Sequence, residues 1–344
     1  MEIQKINQVE RIKIKLRLAK MNDTFLEVFG ASSHNYVLNK PLSQDRVKEF
    51  ENEYNILFPN EYKVFLTEIG NGGLKEDSSA AGPFYGIFPL ENLSQMIEVP
   101  KHYLQSIPFL STETTFEEWD KMYATFRDTF SDEEYENGVG KMYAGVLNIG
   151  ARGCSGYIGI MLHGKDKGRI IHTYDEMEYP PGFVDEINFL DWYESWLDAI
   201  ISGEKIMESS LYTIESEESC IKGFLDRKEH YWKLVSLAYI RSFKKLSDAS
   251  ISVLWNRYKV EKDEVIKLYI LNLLTKYDYT NIKKELILLS KKPIDFLRNL
   301  HLYAKEKTSD WIAEIKQIET THSNNIYITE YITFITKLDL KNHS

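Results

Sequence analysis

The sequence predicts two structural classes in series, an α+β segment over residues 1–205 and an all-helical segment over residues 206–344. Three observations carry this. Between Val146 and Tyr174, short runs rich in β-branched residues are punctuated by glycines, and two of them flank Gly164-Lys165-Asp166-Lys167-Gly168, which reads as an antiparallel hairpin loop. On either side of these runs, apolar residues recur at helical rather than strand spacing. Beyond Glu218 only helical periods remain, in short segments separated by polar breaks.

Taken in order, Val9–Phe29 reads as a helix, although Ile12, Ile14, Leu16 and Leu18 alternate with Lys13, Lys15 and Arg17. Such a basic stretch is either a membrane or nucleic-acid arm or the solvated face of a packed helix, and the packed helix is the ordinary case. Ser43 predicts a helix start: its hydroxyl caps the first turn, Leu42 and Val47 hold the staple positions, and Val47, Phe50 and Tyr54 share a face. After Pro59, the residues Tyr62, Phe65, Leu66 and Ile69 form a second apolar stripe that stops at Gly70-Asn71-Gly72-Gly73.

Phe84 to Leu90 fits a short strand or extended turn between Pro83 and Pro89. Thr115 with Glu118 predicts a capping box for a helix over Thr115–Phe130, and Ser131 to Glu136 reads as a turn-rich acidic loop. Val146–Ile149, Tyr157–Leu162 and Arg169–Tyr174 read as strands. Phe189, Trp192, Tyr193, Trp196 and Ile200 predict an amphipathic helix ending at Gly203.

The polar stretch Glu204–Glu218 marks the domain boundary. Past it, helices are predicted near 218–230, 231–245, 247–258, 262–275, 280–290, 293–305, 308–319 and 326–338. Short helices at that spacing suggest stacked helical hairpins, a solenoid-like array, without the consensus of a named repeat.

Bulk properties bound the function. At 344 residues, with 43% hydrophobic and 27% charged content, the chain can bury the cores of two domains. Cys154 and Cys220 are the only cysteines, so there is no disulfide framework and no metal site made of cysteine alone, and the thiols suit a reducing cytosol. No signal-type N-terminus and no run approaching about 18 apolar residues is found, which predicts a cytoplasmic protein. The net charge is −10, unevenly spread: residues 1–205 carry −13 and residues 206–344 carry +3. An acidic first domain repels phosphate backbones and favours basic partners, so direct nucleic-acid binding there is not expected.

Candidate chemistry is sparse, and no catalytic, cofactor-binding or metal-binding residue is assigned. His163 and His172 could face each other across the predicted hairpin, although ordinary strand residues would look the same. Gly150-x-x-Gly153-x-x-Gly156 lacks the Gly-Lys-Ser/Thr ending of a phosphate loop, and tight turns explain it. Cys154, between glycines, has no local signature of a nucleophile. Two acidic groups with aromatic neighbours have the composition of a recognition surface. These are Asp132, Glu133, Glu134 and Glu136 with Tyr135, and Asp175, Glu176 and Glu178 with Tyr179. A plain solvated loop is the competing reading for each group.

Several runs stand out in order along the chain: Phe29-Gly30-Ala31-Ser32-Ser33-His34-Asn35-Tyr36, Pro41-Leu42-Ser43, Phe58-Pro59-Asn60-Glu61-Tyr62 and Gly70-Asn71-Gly72-Gly73. Gly82-Pro83-Phe84-Tyr85-Gly86-Ile87-Phe88-Pro89-Leu90, Leu147-Asn148-Ile149-Gly150 and Trp192-Tyr193-Glu194-Ser195-Trp196-Leu197 follow them. Together these runs resemble the SUKH superfamily, a bacterial immunity group related to a yeast cell-wall-synthesis regulator, over roughly residues 9–202. The resemblance implies a curved, mainly antiparallel sheet flanked by helices, and a cytoplasmic immunity protein that binds a cognate polymorphic toxin and occludes its active site. A nuclease is a natural target because a nucleic-acid site is positively charged. It brings no shared catalytic residue; Pro59, Tyr62, Gly72, Gly73 and Gly86 look structural, with aromatic residues filling the core. The helical last third lies outside the likeness, which leaves an interaction scaffold recruiting a cellular partner as the alternative.

Overall fold

A computed structural model of the chain describes residues 7–73, 78–93, 101–177, 179–205 and 216–341. Two compact units emerge, one of Met1–Leu16 with Phe29–Ala199 and one of Arg17–Val28 with Ile200–Ser344. Residues 1–205 and 206–344 stay our proposal for the two domains; by contacts, Arg17–Val28 packs within the helical unit.

The chain opens with α1, Gln8–Asn22, shorter than predicted. It stops there because Asp23 turns the chain, its carboxylate accepting the backbone N–H groups of Glu27 and Val28. The basic stretch in α1 is a packed face. Arg11 and Lys15 pair with Glu194, and Lys15 also with Asp198 at 2.6 Å. Burial pushes the Glu194 carboxyl up, but hydrogen bonds from Arg11, Lys15 and Gln8, with the Lys15 charge, outweigh it and hold the group at about 2.

In the first unit a short α2, Ala31–His34, leads to α3, Gln44–Tyr54, where the Ser43 hydroxyl accepts the Arg46 N–H at 3.2 Å as the sequence predicts. Helix α4, Asn60–Val64, runs on into a π turn over Phe65–Ile69 that ends at Gly70. Phe65, Leu66 and Ile69 are all buried on this turn. Short α5, Leu90–Leu93, is followed by a 3₁₀ turn at Lys101–Gln105 and α6, Phe116–Tyr123, which carries the predicted Thr115–Glu118 capping box. Instead of reaching Phe130, the helix gives way to turns after Tyr123.

Residues 131–136 are no loop: they begin α7, Asp132–Met142, capped by the Ser131 hydroxyl, which accepts the Glu134 N–H at 3.3 Å. Gly138 and Gly140 argue locally against a helix, and packing decides otherwise. A Cβ at Gly138 would sit 2.1 Å from the Phe126 ring, and one at Gly140 2.3 Å from the Tyr103 ring.

The sheet is β1, Val146–Gly153; β2, Gly156–Met161; β3, Ile170–Tyr174; and β4, Gly182–Phe183, in the order β1-β2-β3-β4 with every pair antiparallel. Register shifts at Asn148/Gly150 and Ala151/Gly153 are bulges, which bend a strand and raise its twist. Helix α8, Phe189–Ile201, closes the unit. Its Phe189 and Tyr193 rings lie about 5 Å from those of Tyr62 and Phe65 in a wholly buried aromatic core. The Tyr193 hydroxyl finds the Ala81 carbonyl at 2.8 Å, as a buried phenol requires.

The second unit is helical: α9, Glu217–Asp226; α10, His230–Ser242; α11, Asp248–Val260; α12, Glu264–Tyr277; α13, Tyr279–Leu289; α14, Pro293–Tyr303; α15, Ile312–Thr321, entered through a 3₁₀ turn at Lys305–Trp311; and α16, Ile326–Lys341. Each helix touches a sequence neighbour or the helix two places on (α9 with α11, α10 with α12, α12 with α14, α14 with α16), the pattern stacked hairpins give. Arg17–Val28 is held inside this unit. Arg241, 1% exposed, pairs with Glu27 at 2.6 Å, and Glu27 also accepts the Tyr269 hydroxyl. The Arg298 Nε donates to the Asn22 carbonyl at 2.5 Å, and Tyr331 donates to the Asn22 side chain.

Candidate functional site

The two acidic groups singled out in the sequence both fall in the first unit and border one apolar cluster. Asp132, Glu133 and Glu134 are exposed on the first turn of α7, where carboxylates complement the positive end of the helix dipole, and Glu136 is exposed just beyond it. Tyr135 is half-buried, its ring meeting Phe126 edge-on at 5.7 Å, and it packs against a cluster that includes Trp119, Phe126, Met142 and Met177. The first group is therefore both a helix start and an acidic surface.

The second group follows β3. Asp175 is half-buried, its N–H bonded to the Ser155 carbonyl at 3.0 Å, while Glu176 is exposed. Met177, in left-handed backbone at φ 53, turns into the apolar cluster. Glu178 lies outside the described residues. Tyr179 stands 63% exposed with its ring 5.4 Å from that of Tyr174.

Tyr174 joins this acidic segment to an array that sequence reasoning missed. The Arg152 guanidinium lies 4.8 Å from the Phe84 ring and 5.5 Å from the Tyr174 ring, and donates to the Tyr174 hydroxyl at 2.8 Å. Phe29, 61% exposed, meets Tyr85 at 5.4 Å and Phe84 at 6.4 Å. The result is an aromatic–arginine platform running from Phe29 through Tyr85, Phe84, Arg152 and Tyr174 to Tyr179. Aromatic residues and arginine are the types that dominate protein-binding energetics.

Local backbone makes the platform. Phe84 sits at φ 56, a left-handed conformation that costs a non-glycine residue about 1–3 kcal/mol. The Tyr85 N–H is tied to the Ala151 carbonyl of β1 at 3.1 Å. Gly30, at φ 81, lies so close to the Phe84 carbonyl that a Cβ would come within 1.9 Å of it. The aromatic residues of the family-like motifs were expected to fill the core, but in Gly82-Pro83-Phe84-Tyr85-Gly86 Tyr85 is exposed and Phe84 only half-buried. The available signal was two adjacent aromatic residues inside a Gly/Pro turn, which cannot both point inward.

His172 lies edge-on to Phe84 at 5.6 Å. Burial first, and the Arg152 charge second, lower its pKa to about 4, so it is neutral at pH 7. It pairs in register with Ile158, whereas His163 lies beyond the end of β2; the two histidines do not face each other. Gly153 and Gly156 are paired at the tip of the β1–β2 hairpin, with exposed Cys154 in the turn between them. Among the described residues, no group of three or more His, Cys, Asp or Glu is placed to hold a metal ion. No helix there is long and apolar enough to cross a membrane.

Residues 41–195 match the model of the SMI1 / KNR4 family (SUKH-1). The matched segment runs from just before α3 into α8, and contains the whole sheet, both acidic groups and the platform except Phe29. The resemblance read from the sequence holds over this segment, and the helical last third lies outside it. No curated protein and no solved structure matches the chain.

Proposed function

We propose, from the premise that residues 41–195 form an SMI1 / KNR4 (SUKH-1) domain, that the chain is an immunity protein that binds a cognate protein toxin and occludes its active site. The family match carries this reading. It is supported by the −13 charge of residues 1–205 and by the exposed carboxylates beside exposed aromatic residues, a composition that draws in a basic surface and then anchors it. The contact residues we propose are Asp132, Glu133, Glu134, Tyr135, Glu136, Asp175, Glu176, Glu178 and Tyr179, joined by Tyr85 and Arg152. A toxin acting on nucleic acid presents the fitting charge. The mechanism is binding without bond chemistry, in the cytoplasm where such a toxin acts.

The test is co-expression with the toxin encoded beside this gene, measuring growth and the complex recovered. Rescue of growth with a stoichiometric complex, whose association rate falls as salt rises, is the expected result. Absence of both complex and rescue overturns the reading.

A second reading, an interaction scaffold, draws on exposed apolar residues of the helical unit, Trp232, Ile287 and Leu288. It predicts a partner captured through that unit and no protection from the toxin.

A further inference from the structure

The first unit contains a cleft of about 510 Å³ between the α6 start and the β4 edge, within the range of pockets that hold ligands. Its walls are mixed: Phe116, Phe183 and Pro181 supply apolar surface beside the hydroxyls of Ser111 and Thr112, and Phe116 is 59% exposed. Two of its lining residues carry buried donors that find no acceptor in the protein. Trp119 is 6% exposed and its indole N–H has no partner. Arg169 gives an Nη2 proton to the Val184 carbonyl at 2.5 Å, and its ring neighbour is Phe183 at 5.9 Å, yet its Nε is unpartnered. Both atoms are closed to solvent, so a ligand reaches them as the two side chains turn toward the cleft, and one that brings acceptors relieves two unpartnered donors.

The charge around the cleft selects among acceptors. Asp185 lines it and is exposed, and Glu113 and Glu117 are exposed on the segment that forms its other wall. Lys165 is engaged with Glu113, so that pair cancels and Asp185 and Glu117 are left facing Arg169. An anion would meet those carboxylates. A main-chain carbonyl supplies the acceptor without a charge, and a lysine or arginine side chain on the same segment satisfies the rim.

We propose that this cleft receives an extended, positively charged peptide segment of the protein partner. Its carbonyls accept from Trp119 and Arg169, an apolar residue packs against Phe116 and Phe183, and its cationic side chains meet Asp185 and Glu117. This deepens the toxin-binding reading and rests on it for the identity of the partner, while the cleft's preference can be measured alone.

The probes are two synthetic twelve-residue peptides, one of alternating lysine and alanine and one of alternating glutamate and alanine. They are titrated into the full-length, ¹⁵N-indole-labelled protein, with the Trp119 signal assigned by Trp119→Phe. A downfield shift of the Trp119 indole proton with the lysine peptide alone is expected, weakened about tenfold by Asp185→Lys, a change at an exposed position. An unmoved Trp119 signal, or an equal response to the glutamate peptide, overturns the proposal. Phe116→Ala and Asp185→Lys are also expected to weaken capture of the toxin; undiminished capture sinks the cleft as its docking site while leaving immunity intact. If the wild-type chain captures no toxin, immunity fails, and the peptide titration still decides what the cleft accepts.

Discussion

At the residue scale, the first unit holds two histidines kept neutral by burial. His34 and His172 are each lowered to about 4, His34 by burial against a weaker opposing bond from the Gly82 backbone. An unfolded histidine titrates near 6.5, so between pH 6.5 and 4 the unfolded state binds more protons and stability falls as pH falls, by up to roughly 3 kcal/mol per histidine. Glu194 adds a second loss at lower pH, from about 4.5 down to about 2. We expect His172→Gln to flatten the slope of melting temperature against pH between 6.5 and 4; a slope identical to wild type would show that the imidazole is solvated. The platform makes a different prediction. Tyr85→Ala and Tyr179→Ala, both at exposed positions, should each weaken toxin binding by about 30-fold or more while leaving the melting temperature within about 2 °C of wild type. Titration calorimetry with paired thermal melts checks both halves. Tyr179 was legible as a surface aromatic in an acidic stretch. Arg152 was not, because its role comes from Phe84 and Tyr174, 68 residues behind it and 22 ahead, which meet it only once the sheet forms.

At the element scale, caps and stripes were readable because they are local. Ser43 and the Thr115–Glu118 box start helices where the sequence places them, and the helical segments beyond Glu218 recur within a few residues of their predicted bounds. Helix α7 was misread for the opposite reason: two glycines lower its intrinsic propensity, and the aromatic rings that need those glycines are distant in sequence. Two substitutions separate these effects. Ser131→Ala removes only the cap and should cost about 1 kcal/mol, lowering the melting temperature by about 2 °C. Gly138→Ala improves propensity yet drives a methyl into Phe126, so it should destabilise by about 1–3 kcal/mol. A stabilised Gly138→Ala protein in chemical denaturation would show that the ring yields freely.

At the scale of the whole molecule, Arg17–Val28 belongs by contacts with helices that begin nearly two hundred residues later. Glu27 neutralises the wholly buried guanidinium of Arg241, and removing one partner of such a pair costs about 3–5 kcal/mol because the other charge stays buried. We expect Glu27→Gln to lower stability by that order. A fragment of residues 200–344 alone should give a broad, weakly cooperative melt, and adding residues 17–28 as a peptide should restore cooperativity. A sharp melt of the bare fragment would show that the helical unit completes itself.

The sequence by itself determined the capped helices, the three longer strands with the hairpin at Gly164–Gly168, the helical character of the last third and the acidic balance of the first part. Each of these is fixed by neighbours within a few residues or by composition. Only the tertiary structure decided that glycines sit inside α7, that Arg17–Val28 packs among the late helices, and that Phe29, Tyr85, Arg152 and Tyr179 share one surface. Those outcomes depend on close packing and buried charge between segments far apart in the chain, and no local period or propensity encodes them.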